Sequence, residues 1–190
     1  MNMNFCPNCA HRLNKNAEGF LACYGDGHCG EYVFWNNPTP IVAAIVPYYI
    51  NNIPNLEIIG TPQPNGIILV QRGMKSDPHF GEWCLPCGFL DEREDPYAGV
   101  KRECIEEIHR EIEIVKYYEP IILRDTNRLL LLYEAKCQMG DGVIEPGDDA
   151  SAAGVFNANN LPKIAFPSHK KIIDEFFTRN NIISTNGSGI

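Results

Sequence analysis

The sequence predicts an α/β protein: a mixed sheet flanked by helices, with a small metal-stapled module in front. Three observations carry this reading. Four of the eight cysteines fall within the first 29 residues. Apolar runs of strand length recur from Ile41 onward. Two later segments place apolar residues at helical spacing.

Composition bounds the function. The chain has 190 residues, with 16 Lys and Arg against 24 Asp and Glu, a formal charge of −8. That balance argues against a nucleic-acid partner, because duplex binding rests on neutralising phosphates with basic side chains. At 44% hydrophobic residues the chain can bury a core. No run reaches the ~20 apolar residues of a membrane span, and Ile41 to Val46 stops at Pro47. The start, Met1-Asn2-Met3-Asn4-Phe5-Cys6, has neither a basic nor an apolar region. A cytoplasmic protein is expected, with no membrane association.

Residues 1–38 are poor in apolar periodicity and rich in Cys, Gly and Asn, so they need a staple. Ile41 to Ile50 is β-rich, and a polar, proline-punctuated stretch runs from Asn51 to Gly66. Ile67-Ile68-Leu69-Val70 reads as a buried strand. A loop with Gly73, Pro78 and Gly81 leads to Trp83-Cys84-Leu85-Pro86-Cys87-Gly88. A helix is expected from Pro96 to Ile108, with Pro in the first turn and Asp95 as cap. Glu111 to Tyr118 and Arg128 to Ala135 read as strands, Met139 to Ala153 as a loop or hairpin, and Gly154 to Asn157 as one more short strand. Ser168 to Arg179 reads as a final helix capped by Ser168, with Ile172, Ile173, Phe176 and Phe177 on one side. The tail, residues 181–190, is expected to be mobile. The chain has no internal repeat.

The informative stretch is Gly88-x5-Glu94-x7-Arg102-Glu103-Cys104-Ile105-Glu106-Glu107. On a helix, Glu103, Glu106 and Glu107 fall at about 0°, −60° and +40°, so three carboxylates share one face, with Ala98, Ile105 and Ile108 expected opposite, toward the sheet. Such a cluster repels itself. A hard divalent cation with oxygen ligands removes the repulsion, and Mg²⁺ is typically held by one or two carboxylates plus substrate phosphates. The chemistry suggested is metal-assisted attack of water on a phosphate. Arg102 is placed to pair with Glu94 and hold the preceding loop. A solvated acidic face is the bland alternative, but the six fixed positions arise by chance in on the order of one chain in 10⁵ of this size.

This pattern resembles the Nudix box, the signature of the Nudix hydrolases. The lead-in Trp83 to Phe89 is also similar to the family's approach to the box. The resemblance spans about residues 40–180 and implies an α/β/α sandwich around a mixed sheet. It implies hydrolysis of nucleoside diphosphates linked to another moiety, with Mg²⁺ or Mn²⁺ held by Glu103, Glu106 and Glu107. The Cys87 or Gly88 carbonyl is a further candidate ligand, and Arg102 with Glu94 an orienting pair. Where the family has Gly after the Glu pair this chain has His109, which bears on how the helix ends.

Cys6-x2-Cys9-x13-Cys23-x5-Cys29 supplies the four thiolates of a closed structural Zn²⁺ site. It resembles the zinc ribbon that precedes the catalytic domain in one branch of Nudix enzymes, and Asn36-Asn37-Pro38-x-Pro40 resembles the join. Residues 24–28 lengthen the second knuckle, so His28 is an alternative to Cys29 as fourth ligand. The expected organisation is a zinc-ribbon module over 1–38, a Nudix domain over 39–180 and a tail over 181–190. Cys84-Leu-Pro-Cys87 reads as packing, as do Cys104 and Cys137.

The branch includes NADH pyrophosphatases, whose Ser-Gln-Pro-Trp-Pro-Phe-Pro-x-Ser motif is absent here. Ala165-Phe166-Pro167-Ser168 is similar instead to an element of relatives that cleave FAD or ADP-ribose. The resemblance thus implies a small nucleotide substrate such as ADP-ribose, FAD or another ADP-linked compound, with release of AMP. The alternatives are an NADH pyrophosphatase, a nucleotide sensor without turnover and a zinc-ribbon adaptor. Phe80, Trp83 and Phe89 are candidates for stacking on a base or, equally, for core packing. Candidates for the general base are Glu106, Glu107, Glu145, Asp148 and Asp149. Homodimers are common among the relatives.

Overall fold

Short of apolar residues, the N-terminal segment builds only two-residue strands: β1 (Asn14–Lys15), β2 (Leu21–Ala22) and β3 (Val33–Phe34), joined as an antiparallel sheet in that order. Asn16 closes the first turn, its side chain accepting from the amides of Glu18 at 3.1 Å and Phe20 at 2.9 Å. Cys6, Leu13, Ala22 and Cys23 are buried in this segment. The structure, a computed structural model, describes residues 3–24, 27–30, 32–49, 64–137, 144–147 and 150–180. It divides into two units, Met1–Pro38 and Thr39–Ile190. The tail over residues 181–190, Asp148 and Asp149 lie outside the described residues.

The second unit contains β4 (Thr39–Ile45), β5 (Pro47–Tyr48), β6 (Gly66–Arg72), β7 (Trp83–Cys84) and β8 (Cys87–Phe89), followed by α1 (Pro96–Ile108). Then come β9 (Ile112–Tyr117), β10 (Ile121–Leu123), β11 (Arg128–Cys137), β12 (Ala150–Phe156) and α2 (Pro167–Arg179). One sheet is mixed, in the order β10-β11-β4-β8 with β9 also on β11; its β4–β11 pair is parallel. The other is antiparallel, in the order β12-β6-β5 with β7 also on β6. The run expected as one strand from Ile41 to Ile50 is broken after Ile45, where Pro47 enters β5 and the chain changes sheets. β12 begins four residues before the expected Gly154, inside the expected loop, because Ala150–Ala153 pair with Val70–Arg72 through a register shift.

Both faces of β4 and β6 are buried, which is why they read as continuous apolar runs rather than alternating ones. Val42, Ala44, Val46, Ile68 and Val70 pack with Val100, Cys104 and Ile108 of α1. Ile41, Ala43, Ile45, Ile67 and Leu69 pack with Ile172, Ile173, Phe176 and Phe177 of α2. One helix therefore covers each face, giving an α/β/α arrangement.

The helix ends follow local chemistry. Asp95 caps α1, its side chain accepting from Tyr97 N at 2.9 Å and Ala98 N at 3.2 Å. His109 ends the helix in the left-handed region, φ 51° and ψ 40°, with its amide on the Ile105 carbonyl at 3.1 Å. Ser168 is not the cap of α2: the cap position is Phe166, without a side-chain hydrogen bond, and Pro167 starts the helix. Nor do Ala98 and Ile105 face the sheet. Both are exposed, and α1 buries Gly99, Val100, Glu103, Cys104, Glu107 and Ile108. The helix is rotated from the expected position because two of its carboxylates point inward.

Phe176→Ala is expected to cost about 3–5 kcal/mol of unfolding free energy, since a large ring is lost from a filled core. Lys171→Ala, on the exposed side of the same helix, should stay within about 0.5 kcal/mol. Urea denaturation of both variants checks this.

Candidate active site

Pairing of β4 with β8 sets Val42 opposite Gly88 and Ala43 opposite Cys87, which anchors the turn before the acidic helix to the central strand. Against this turn α1 lays Glu103 and Glu107, only 9% and 6% exposed. The Cys87 amide donates to Glu107 Oε2 at 2.8 Å. A Cβ on Gly88 would overlap the Glu103 carboxylate, so the absence of a side chain there makes the cradle in which that carboxylate lies.

Arg102 ties the rest together. Its Nε and Nη2 reach the two Glu94 oxygens at 2.8 and 2.9 Å, a bidentate pair. Nη1 donates to Glu103 Oε1 at 2.8 Å and to Glu106 Oε2 at 2.7 Å, and Nη2 donates to the Phe89 carbonyl at 3.0 Å. The Arg102 hydrogen bonds hold the Glu94 carboxyl at about 2, below the usual 4.5. Burial pushes Glu103 up, and Arg102 opposes that shift only in part. The Gly147 amide donates to the Glu107 carbonyl at 3.1 Å, two residues on from the exposed Glu145.

This donor set fits a hard divalent cation. Glu103, Glu106 and Glu107 supply the kind of oxygen donor such an ion takes, and one guanidinium among Glu94, Glu103 and Glu106 leaves net negative charge. The aromatic candidates separate. Phe89 is exposed, with the Arg128 guanidinium 5.0 Å from its ring centre. Phe80 is exposed on the loop before β7. Trp83 packs edge-on against Phe156 at 4.7 Å between ring centres and joins the α2-side core.

In the N-terminal unit, the thiols of Cys6, Cys9, Cys23 and Cys29 all lie within 4.8 Å of one another. Cys6 to Cys29 is 3.6 Å and Cys9 to Cys23 is 3.4 Å. A backbone hydrogen bond at His11 draws the Cys9 thiol down, while burial pushes the Cys23 thiol up. Four convergent sulfurs fit the tetrahedral preference of Zn²⁺. His28 sits beside the cluster, with Nδ1 3.3 Å from Cys23 Sγ.

Three contacts have no individual signal in the sequence: the Cys87 amide to Glu107, the Phe89 carbonyl to Arg102 and the Gly147 amide to the helix end. Backbone groups look alike in every residue, so only the fold reveals them.

Comparison with known proteins places the chain in a family. The profile of the NUDIX domain matches residues 58–176. An ADP-ribose pyrophosphatase of Methanocaldococcus jannaschii is 33% identical over 120 residues, covering 62% of this chain and 69% of that protein. The chain belongs to the Nudix family. Among solved structures, a NUDIX hydrolase from Nitrosomonas europaea superposes with a TM-score of 0.72 at 25% identity, over 94% of this chain and 93% of that one. The NUDIX domain of Shewanella oneidensis NrtR, solved with ADP ribose, shares the fold with a TM-score of 0.53 at 20% identity, over 75% of this chain and 88% of that one. Among the described residues no helix is long and apolar enough to cross a membrane.

Gly88→Ala is expected to leave the fold intact but displace the Glu103 carboxylate, weakening Mn²⁺ binding at least about tenfold, a loss of about 1.4 kcal/mol. Calorimetric titration with Mn²⁺ reads this. The Glu94 carboxyl is held below its usual value, so its contribution to stability is present above about pH 4.5 and is lost as pH falls toward 2. In Glu94→Gln that acid-limb dependence should flatten, as followed by denaturant unfolding between pH 5 and 2.5.

Proposed function

We propose that this Nudix pyrophosphohydrolase cleaves the pyrophosphate bond of ADP-ribose, FAD or a similar ADP-linked compound, releasing AMP. The observation that carries the reading is the Arg102 guanidinium bonded to Glu94, Glu103 and Glu106, with Glu107 held by the Cys87 amide. The curated relative named an ADP-ribose pyrophosphatase supports the substrate class. So does Ala165-Phe166-Pro167-Ser168 in the approach to α2.

Glu103, Glu106 and Glu107 would hold Mg²⁺ or Mn²⁺. Once bound, the metal neutralises phosphate charge and lowers the pKa of attacking water. The chain's own groups do the positioning. Arg102 and Glu94 fix the turn, the Cys87 amide orients Glu107, and the glycine at 88 leaves space for Glu103. Phe89, with Arg128 against its ring, offers a face for a base. Glu106, Glu107 and Glu145 are the described candidates for accepting the proton of the attacking water. Zn²⁺ in the four-cysteine cluster would have a structural part, because those ligands close the site without an open position. The seat of action would be the cytoplasm.

An NADH pyrophosphatase remains the second enzymatic reading, and a nucleotide sensor the non-catalytic one. Retention of all the box carboxylates favours turnover over sensing. Incubation with ADP-ribose, FAD, NADH and a deoxynucleoside triphosphate, each with Mg²⁺ or Mn²⁺, separates these readings. AMP is expected from an ADP-linked compound, with kcat reduced about 10²-fold or more in Glu106→Gln or Glu107→Gln. Absence of product from every compound would sink the proposal.

A further inference from the structure

Cys84 and Cys87 form a Cys-x-x-Cys pair whose thiols have no part in the carboxylate site or the four-cysteine cluster described above. The fold brings a third donor to them from the other end of the chain. The two thiols and a ring nitrogen of His169 all lie within 4.8 Å of one another. Cys84 is 0% and His169 2% exposed, so an imidazole has been taken out of water between two sulfurs. The Leu85 amide donates to His169 Nδ1 at 3.3 Å, which makes Nδ1 the unprotonated nitrogen, its lone pair turned toward the Cys84–Cys87 turn. Arg72 Nη1 lies 4.0 Å from Cys84 Sγ, a positive charge that favours thiolate. A cavity of about 10 Å³, close to the size of one water, touches Cys84 and is lined also by Arg72, Asp77 and Glu107.

We propose that Cys84, Cys87 and His169 form a second metal site, for a thiophilic divalent cation, with Zn²⁺ the natural occupant. Two sulfurs and one imidazole nitrogen are a zinc donor set, with a water to complete the four. Two thiols lose two protons as two metal–sulfur bonds form. His169 gives its neutral lone pair in place of the long bond from Leu85, and nothing is oxidised or reduced. The cation joins the turn before the acidic helix to the first turn of α2. The Cys87 amide holds Glu107 at 2.8 Å, so the site stiffens the support of a carboxylate on the acidic face. This inference stands apart from the identity of the substrate.

The test is ¹¹³Cd NMR on the full chain produced with ¹¹³Cd²⁺, in excess Mg²⁺ so that the carboxylates are occupied by a hard ion. The expected spectrum contains a resonance in the range of a site with two sulfurs and one nitrogen, whether or not a four-sulfur resonance accompanies it. That resonance should be lost in His169→Gln and in Cys87→Ser. A wild-type spectrum without it, or a resonance unmoved in both folded variants, overturns the proposal. The wild-type spectrum alone decides if a variant fails to fold.

Discussion

Arg102 and the carboxylates around it are the interaction on which the site depends. Four acidic side chains within one turn and one loop would spread apart if left to themselves, since like charges at close range repel most strongly where water is scarce. The guanidinium counters this with a planar fork that bonds Glu94 through two nitrogens and still reaches Glu103 and Glu106. Its contact with the Phe89 carbonyl ties the same charge to the backbone of β8. Lysine has the charge but not the fork, and could not hold all these partners in one geometry.

The two-faced sheet gives that network its rigid footing. Odd and even residues of β4 and β6 go to opposite helices, so each strand is clamped from both sides. β8 is short, but its register on β4 places Cys87 and Gly88 against the middle of the sheet. α1 then brings two carboxylates into a crevice whose floor is backbone. The segment before α2 closes the arrangement, Trp83 donating its amide to the Lys163 carbonyl and accepting from the Ala165 amide. The C-terminal helix and the turn before the acidic helix are thus mechanically connected.

The acidic helix shows both the power and the limit of reading from residues. Its bounds were legible because Asp95, Pro96 and the break at His109 are local signals that need no tertiary partner. Its rotation was not. Ile105 looks like a core residue and Glu103 like a surface one, yet the first is 47% and the second 9% exposed. Hydrophobic patterning assumes that carboxylates seek water, and a helix that feeds a charged site violates that assumption. The same reasoning explains Ser168, whose residue type suits a cap while Pro167 had already started the helix.

By itself the sequence determined the family signature, the order of the longer strands and the two helices, and the identity of the charged and thiol groups available. Each of these is local, set by residue type and by spacing along the chain. Only the tertiary structure decided which groups meet. It split the strands into a mixed and an antiparallel sheet at Pro47, turned Glu103 and Glu107 inward, and gathered Cys6, Cys9, Cys23 and Cys29 into one cluster. It also set His169 against a turn 84 residues away. Distances of that kind depend on how two faces of a sheet are filled, and no short stretch of chain contains that information.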